Sequence, residues 1–213
     1  MKGRRRRPAA GAPRGRQPRE LPARQARTVV LLGIDGAGKT TAASALVAVE
    51  QAAGREAVVL RNRSGRRWLA RTSARLGVQV PVRWADRFET MVRAANVLVC
   101  QVRAARRHGL VVIDRHLVCQ LVLRRARGLP PGRILPWWAA AVLRGAVVVV
   151  LDVPAETAHA RILARGQDHE PLEYLRAARA AYLEFADACG WVVVDATGAP
   201  EAVLARLTGL TGR

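Results

Sequence analysis

The chain has 213 residues, half of them hydrophobic, enough for one well-buried domain and too few for two comfortable ones. Its formal net charge of +20 is extreme for a globular domain and directs attention to polyanionic ligands. Cys100, Cys119 and Cys189, widely spaced and without a CxxC pair, argue against a disulfide framework or a zinc site and fit a reducing cytoplasm.

Residues 1–27 hold Lys2 and nine arginines against Glu20, with Pro and Gly but no periodicity. This stretch is expected to be a disordered basic tail, either a solvated extension or an arm touching nucleic acid or a membrane surface. No apolar run follows its basic start, so a secretory signal is not expected there. The folded unit is expected over 28–213. "TVVLLG" reads as a first strand and "KTTAASALVAVEQAAG" as a helix closed by Gly54. "EAVVLR" is a second strand, followed by a long helical region over about 65–108, broken near Gly77 and Pro81. "GLVVID" is a third strand. The longest apolar region, "ILPWWAAAVLRGAVVVVLDV", is interrupted by Arg144 and Gly145 and reads as a buried helix followed by a buried fourth strand, not a membrane span. "PAETAHARILARG" and "PLEYLRAARAAYLEFADACG" are helices, "WVVVDA" a fifth strand, and 199–208 a last helix. Strands this apolar need cover on both faces. The expected fold is therefore a three-layer α/β/α domain around a five-stranded parallel sheet.

"GIDGAGKT", from Gly33 to Thr40, fits G-x-x-x-x-G-K-[ST] between a predicted strand and a predicted helix. Gly33, Gly36 and Gly38 let the backbone wrap phosphate oxygens, with Ala37 in the same turn, and the helix opening at Lys39, Thr40 and Thr41 adds its positive dipole end. Lys39 is suited to the β- and γ-phosphates of ATP and the Thr40 hydroxyl to Mg²⁺. Lys2 and Lys39 are the chain's two lysines, so a lysine inside the folded part of an arginine-biased protein marks a specific need for a compact ammonium.

A signalling GTPase would need N-K-x-D to read guanine, and that string does not occur. The third strand ends in "VVIDRHLVCQL", which puts Asp114 where a carboxylate can hold Mg²⁺. Arg115 then falls at the carboxyl end of the sheet, where ligands bind, and is suited to a second anionic group such as an acceptor phosphate.

"GIDGAGKTT", "DRH", "LDVPAETAHARILARG" and "VVVDATGAPEAV", in order from Val29 to Leu207, resemble the thymidylate kinase family of P-loop nucleoside-monophosphate kinases. The resemblance implies phosphoryl transfer from MgATP to a nucleoside monophosphate, with dTMP to dTDP as the leading expectation. It implies acceptor binding by Asp35 and Arg61, with Arg115 and Arg93 as further acceptor-side candidates. It also implies a lid over about 161–172, whose Arg161 and Arg165 neutralise the transferring phosphoryl beside Lys39 and Asp114. Members are often homodimers through long helices beside the site.

The chain departs from the family pattern around the acceptor. "RNRSGRRW" replaces an Arg-Glu-Pro segment, Leu32 stands where Glu is common, and "LVCQLVL" where Ser and Tyr are common. Met91 and Ala95 occupy the positions of a base-reading Phe and Arg, with Arg93, Asn96 and Phe88 nearby but out of register, and His169 stands in the shortened lid. A site without designed hydrogen bonds to a base rejects alternatives weakly. Two other readings therefore stay open: a P-loop kinase of a different small-molecule acceptor, and an ATP-binding regulatory protein. His116 and Cys119, three apart on a helix, lack further ligands for a metal and read as packing residues. Trp137 and Trp138 are expected to pack on the sheet. Of Arg61, Arg63, Arg66, Arg67 and Arg71, some are expected to meet substrate phosphate and the rest solvent.

Overall fold

The computed structural model describes residues 27–61, 82–166 and 170–211. The basic stretch 1–26, Arg63, Arg66, Arg67, Arg71, the expected break near Gly77 and Pro81, and lid residue His169 lie outside the described residues, as do the side chains of Phe88 and Arg93.

Valine-rich runs become strands because β-branched side chains pack well on a pleated surface. The five are β1 (Arg27–Leu32), β2 (Ala57–Arg61), β3 (Leu110–Asp114), β4 (Val147–Asp152) and β5 (Val192–Asp195). They form one parallel sheet in the order β2-β3-β1-β4-β5. The described helices are α1 (Lys39–Ala52), α2 (Val82–Ala105), α3 (Val118–Ala126), α4 (Ile134–Val142), α5 (Ala155–Ala164), α6 (Leu172–Cys189) and α7 (Pro200–Leu210). The expected α/β class and five-stranded parallel sheet are what the chain adopts.

Cover is uneven across the sheet. Val29 to Leu32, Val111 to Ile113 and Val149 to Leu151 are essentially fully buried, whereas edge strands β2 and β5 are only half-buried. A parallel sheet loses cover at its edges, so the apolar runs "AVVL" and "VVV" there do not imply full burial.

Helix α4 corrects one expectation. Leu135, Ala139 and Leu143, four residues apart, face the core, but Ile134 and Trp137 on the other side are 76% and 68% exposed. Trp138 is half-buried against the core, so of the tryptophan pair one packs and the other does not. The helix is apolar all round in composition, but only one stripe has anything to pack against. No helix of the described residues is long and apolar enough to cross a membrane.

Register sets up the site. Leu31 pairs with Asp114 and Leu32 with Val150, so β1, β3 and β4 end side by side. The loop after β1 therefore emerges directly beside Asp114.

Candidate active site

The loop from Gly33 to Gly38 turns tightly enough to need glycine at two points. A Cβ on Gly33, at φ 134°, would lie 2.5 Å from the Leu151 carbonyl oxygen of β4. On Gly36, at φ 87°, it would lie 2.5 Å from the Ala158 carbonyl oxygen. Helix α5 is thus packed directly onto the loop's backbone. The Ala37 N–H donates to Ile34 O at 3.2 Å, closing the turn, and the first intrahelical bond runs from Ala42 N to Gly38 O. The preceding first-turn N–H groups, through Thr41, have no intrahelical acceptor and point out of the helix end, an anion-binding arrangement.

Two lines of interaction leave this loop. Buried Lys39 donates through Nζ to Ile34 O at 2.7 Å and to Asp35 Oδ1 at 3.3 Å. The Thr40 hydroxyl donates to Asp114 Oδ2 at 2.7 Å. Asp114 is buried, and its other oxygen, Oδ1, has no hydrogen-bond partner among the described residues. A buried carboxylate oxygen without a donor is costly, and a hard cation beside the Thr40 hydroxyl would satisfy it. The donor set fits Mg²⁺.

Arg115 is the one described non-glycine residue with positive φ, at 74°. That left-handed turn at the end of β3 lets Asp114 and Arg115 serve one cleft while His116 turns fully into the interior. Arg115 Nη2 donates to Asp35 Oδ1 at 2.6 Å. Asp35 Oδ1 therefore joins the loop lysine to an arginine from β3. Burial alone would raise the Asp35 carboxyl, but the charges and hydrogen bonds of Lys39 and Arg115 hold it down at about 2. Burial likewise opposes the Arg115 charge, and Asp35 outweighs it, so the guanidinium is held even more firmly protonated than usual. Both charges are fixed across the working pH range.

The remaining predicted residues are dispersed. Arg61 ends β2, exposed, in register with Asp114. Arg93 lies on α2. Arg165 is exposed just past α5 and donates through Nε to Arg161 O at 3.0 Å. Arg161 is already engaged: it donates to Gly36 O at 3.5 Å, Ala196 O at 3.3 Å and Thr197 O at 3.1 Å. Its guanidinium ties the phosphate loop to the segment between β5 and α7. Met91 is 63% exposed and Ala95 is exposed. His116 is fully buried, which pushes its imidazole down to about 4, and Cys119 packs half-buried against the core.

The sequence reading missed Tyr174, in the first turn of α6. Burial, then the charges of Glu170 and Asp35, push its phenol up. Tyr182, two turns on along the same face, hydrogen-bonds Cys119. The available signal was the spacing: both tyrosines of the chain sit on one helix, eight apart, just after the lid.

A doubly covered parallel sheet, a glycine loop opening α1 after β1, and Thr40 bonded to a strand-end carboxylate define a P-loop phosphotransferase. The "Thymidylate kinase" family model matches residues 32–207. A thymidylate kinase of Xanthomonas euvesicatoria pv. vesicatoria (strain 85-10) is 32% identical over 191 residues, covering 83% of this chain and 79% of the relative. That of Xylella fastidiosa (strain M12) is 33% identical over 187 residues, covering 85% of each. The chain belongs to the thymidylate kinase family.

Proposed function

We propose that this chain transfers the γ-phosphoryl of ATP to dTMP, giving dTDP and ADP, in the cytoplasm. The observation that carries this reading is the Asp35 carboxylate, bonded on one side to the loop lysine and on the other to Arg115. Phosphoryl transfer is chiefly positioning and charge neutralisation, and this bridge fixes an acceptor-side cation relative to the donor loop. Lys39 and the loop N–H groups of Gly36, Gly38, Thr40 and Thr41 hold donor phosphates. Arg115 and Arg61 grip the acceptor phosphate, with Arg93 on the nearby helix. Thr40 and Asp114 would hold Mg²⁺, which supplies neutralisation of charge on the phosphates when bound.

Of the lid arginines, Arg165 is the one exposed and tied only to its own helix, so it is assigned to the transferring phosphoryl. Arg161, spread over three carbonyls, instead braces the loop as the charge shifts. Neither role requires the other arginine to move.

The chain is further proposed to act as a homodimer. Leu98, Val99 and Val102 are 55%, 47% and 45% exposed, an apolar patch on the C-terminal half of α2. A second copy would cover it.

Arg115→Ala tests the assignment. Without the acceptor-side cation, KM for dTMP should rise roughly 10- to 100-fold, the scale of one charge-assisted hydrogen bond, while KM for ATP changes little. An unchanged KM for dTMP would remove Arg115 from the acceptor site.

A kinase of another small acceptor is the second reading, favoured by the exposure of Met91 and the short side chain of Ala95 where a base-reading pair is expected.

A further inference from the structure

The phosphate loop lies at the carboxyl edge of the sheet, and the opposite edge carries its own concentration of charge. Three neighbouring strands, β3, β1 and β4, enter side by side there. Just before β3 stand Arg106, Arg107 and His108, all exposed. Arg27 opens β1, in register with Leu110, and its N–H donates to Gly109 O at 2.9 Å. Shortly before β4 stands exposed Arg144. Neighbouring strands lie about 4.8 Å apart, so the three entries fit within roughly 10 Å. Exposed Arg103 lies one turn back on α2, and Gln101 Nε2 donates to Val142 O at 3.1 Å, tying the ends of α2 and α4 together.

The four arginines outside β1 are not neutralised locally. The side chains of Arg103, Arg106, Arg107 and Arg144 make no ion pair or hydrogen bond among the described residues. Glu50 is taken by Arg55 through two bonds, leaving Glu56, before β2, as the acid beside Gly109. No Asp or Glu occurs from Arg115 to Leu151. Residues 1–26, with Lys2 and eight arginines against Glu20, join the fold at Arg27, in the middle of this edge.

We propose that this edge docks a nucleic-acid phosphate backbone, without reading bases. Arginine forks match phosphodiester oxygens, and unpaired exposed arginines release counterions on binding. A membrane is the weaker partner, because residues 106–109 and 144–145 offer no large apolar side chain to insert, and exposed Leu98, Val99 and Val102 beside Arg103 are assigned to a second copy. No Trp, Tyr or Phe stands in those segments to stack a base. The edge is separated from the phosphate loop by the length of β1, about 20 Å for six residues, so docking leaves phosphoryl transfer untouched.

The test uses full-length protein, a fluorescein-labelled 20-base-pair duplex of mixed sequence, and salt from 50 to 200 mM. Arg106→Ala/Arg107→Ala/Arg144→Ala should weaken binding at least about 10-fold and flatten the log–log salt slope by about 2 to 3, one step for each phosphate no longer neutralised. Its melting temperature and phosphoryl-transfer rate should match the parent. A second full-length variant, with Arg4, Arg5, Arg6 and Arg7 changed to Ala, should retain measurable, salt-dependent duplex binding. An unchanged slope in the triple variant would overturn the proposal, as would complete loss of binding in the tail variant. So would loss of binding to phosphatidylserine vesicles in the triple variant with no effect on the duplex.

Discussion

At the scale of single residues, Asp35 holds the two halves of the site together. It accepts from Lys39 and Arg115 through one oxygen, and they hold its proton affinity down against the effect of burial. In the fold its carboxyl titrates near 2, against 3.8 in the unfolded chain. As pH falls, the unfolded chain takes up the proton first. The bridge therefore stabilises the fold fully above about pH 4 and loses that contribution between about pH 4 and 2. Asp35→Asn should melt several degrees below the parent near neutral pH, because it leaves two cations facing each other. The gap should close as pH is lowered toward the acid limit. A gap that is the same at every pH would show that the carboxylate's charge is not what stabilises the loop. The existence of this pair was only half legible in the sequence. The loop motif and the strand-end Asp-Arg pointed to one cleft, but the bond depends on the β1–β3 register and on the left-handed turn at Arg115. Neither has a composition signal.

At the scale of elements, the phosphate loop is held from three sides: by β4 at Gly33, by α5 at Gly36, and by Arg161 across to the β5–α7 segment. The strands and most helices were legible because valine runs, Pro starts and Gly stops agree with one another. What α5 does with its arginines was not. The sequence put Arg161 and Arg165 in one lid. The packing of α5 on the loop turns Arg161 toward carbonyls and leaves Arg165 exposed. Gly36→Ala places a Cβ against the Ala158 backbone at a φ that favours glycine. It should cost more than about 1 kcal/mol in stability and raise KM for ATP, measured by thermal melts and initial rates. Retention of both parent values would mean that α5 does not brace the loop. Helix α4 gives the converse lesson. Its apolar composition announced burial, yet Trp137 is exposed because only the Leu135–Ala139–Leu143 stripe meets the core.

For the whole molecule, the fold divides the work between two edges of one sheet, with phosphoryl transfer at the carboxyl end and a cluster of exposed arginines at the other. The apolar patch of Leu98, Val99 and Val102 on α2 is assigned to self-association. Leu98→Glu/Val102→Glu should shift the molecular mass measured by light scattering from dimer to monomer, since like charges would face each other across the interface. A parent protein that already runs as a monomer at micromolar concentration would refute that assignment. The donor half of the reaction was legible from nine residues, "GIDGAGKTT". The acceptor half was less so, because the segments that read a base depart from the family pattern at Met91 and Ala95 and around "RNRSGRRW". The central claim, transfer to dTMP, is tested most directly by following labelled γ-phosphoryl from ATP into product. Parallel reactions would hold dTMP, dUMP, dCMP, dGMP, dAMP and a panel of sugars and other small metabolites, with Lys39→Ala as the inactive control. dTMP should be labelled fastest, and Lys39→Ala should fall by about three orders of magnitude or more. Label entering a non-nucleotide acceptor, or no acceptor-dependent transfer to any monophosphate, would contradict it.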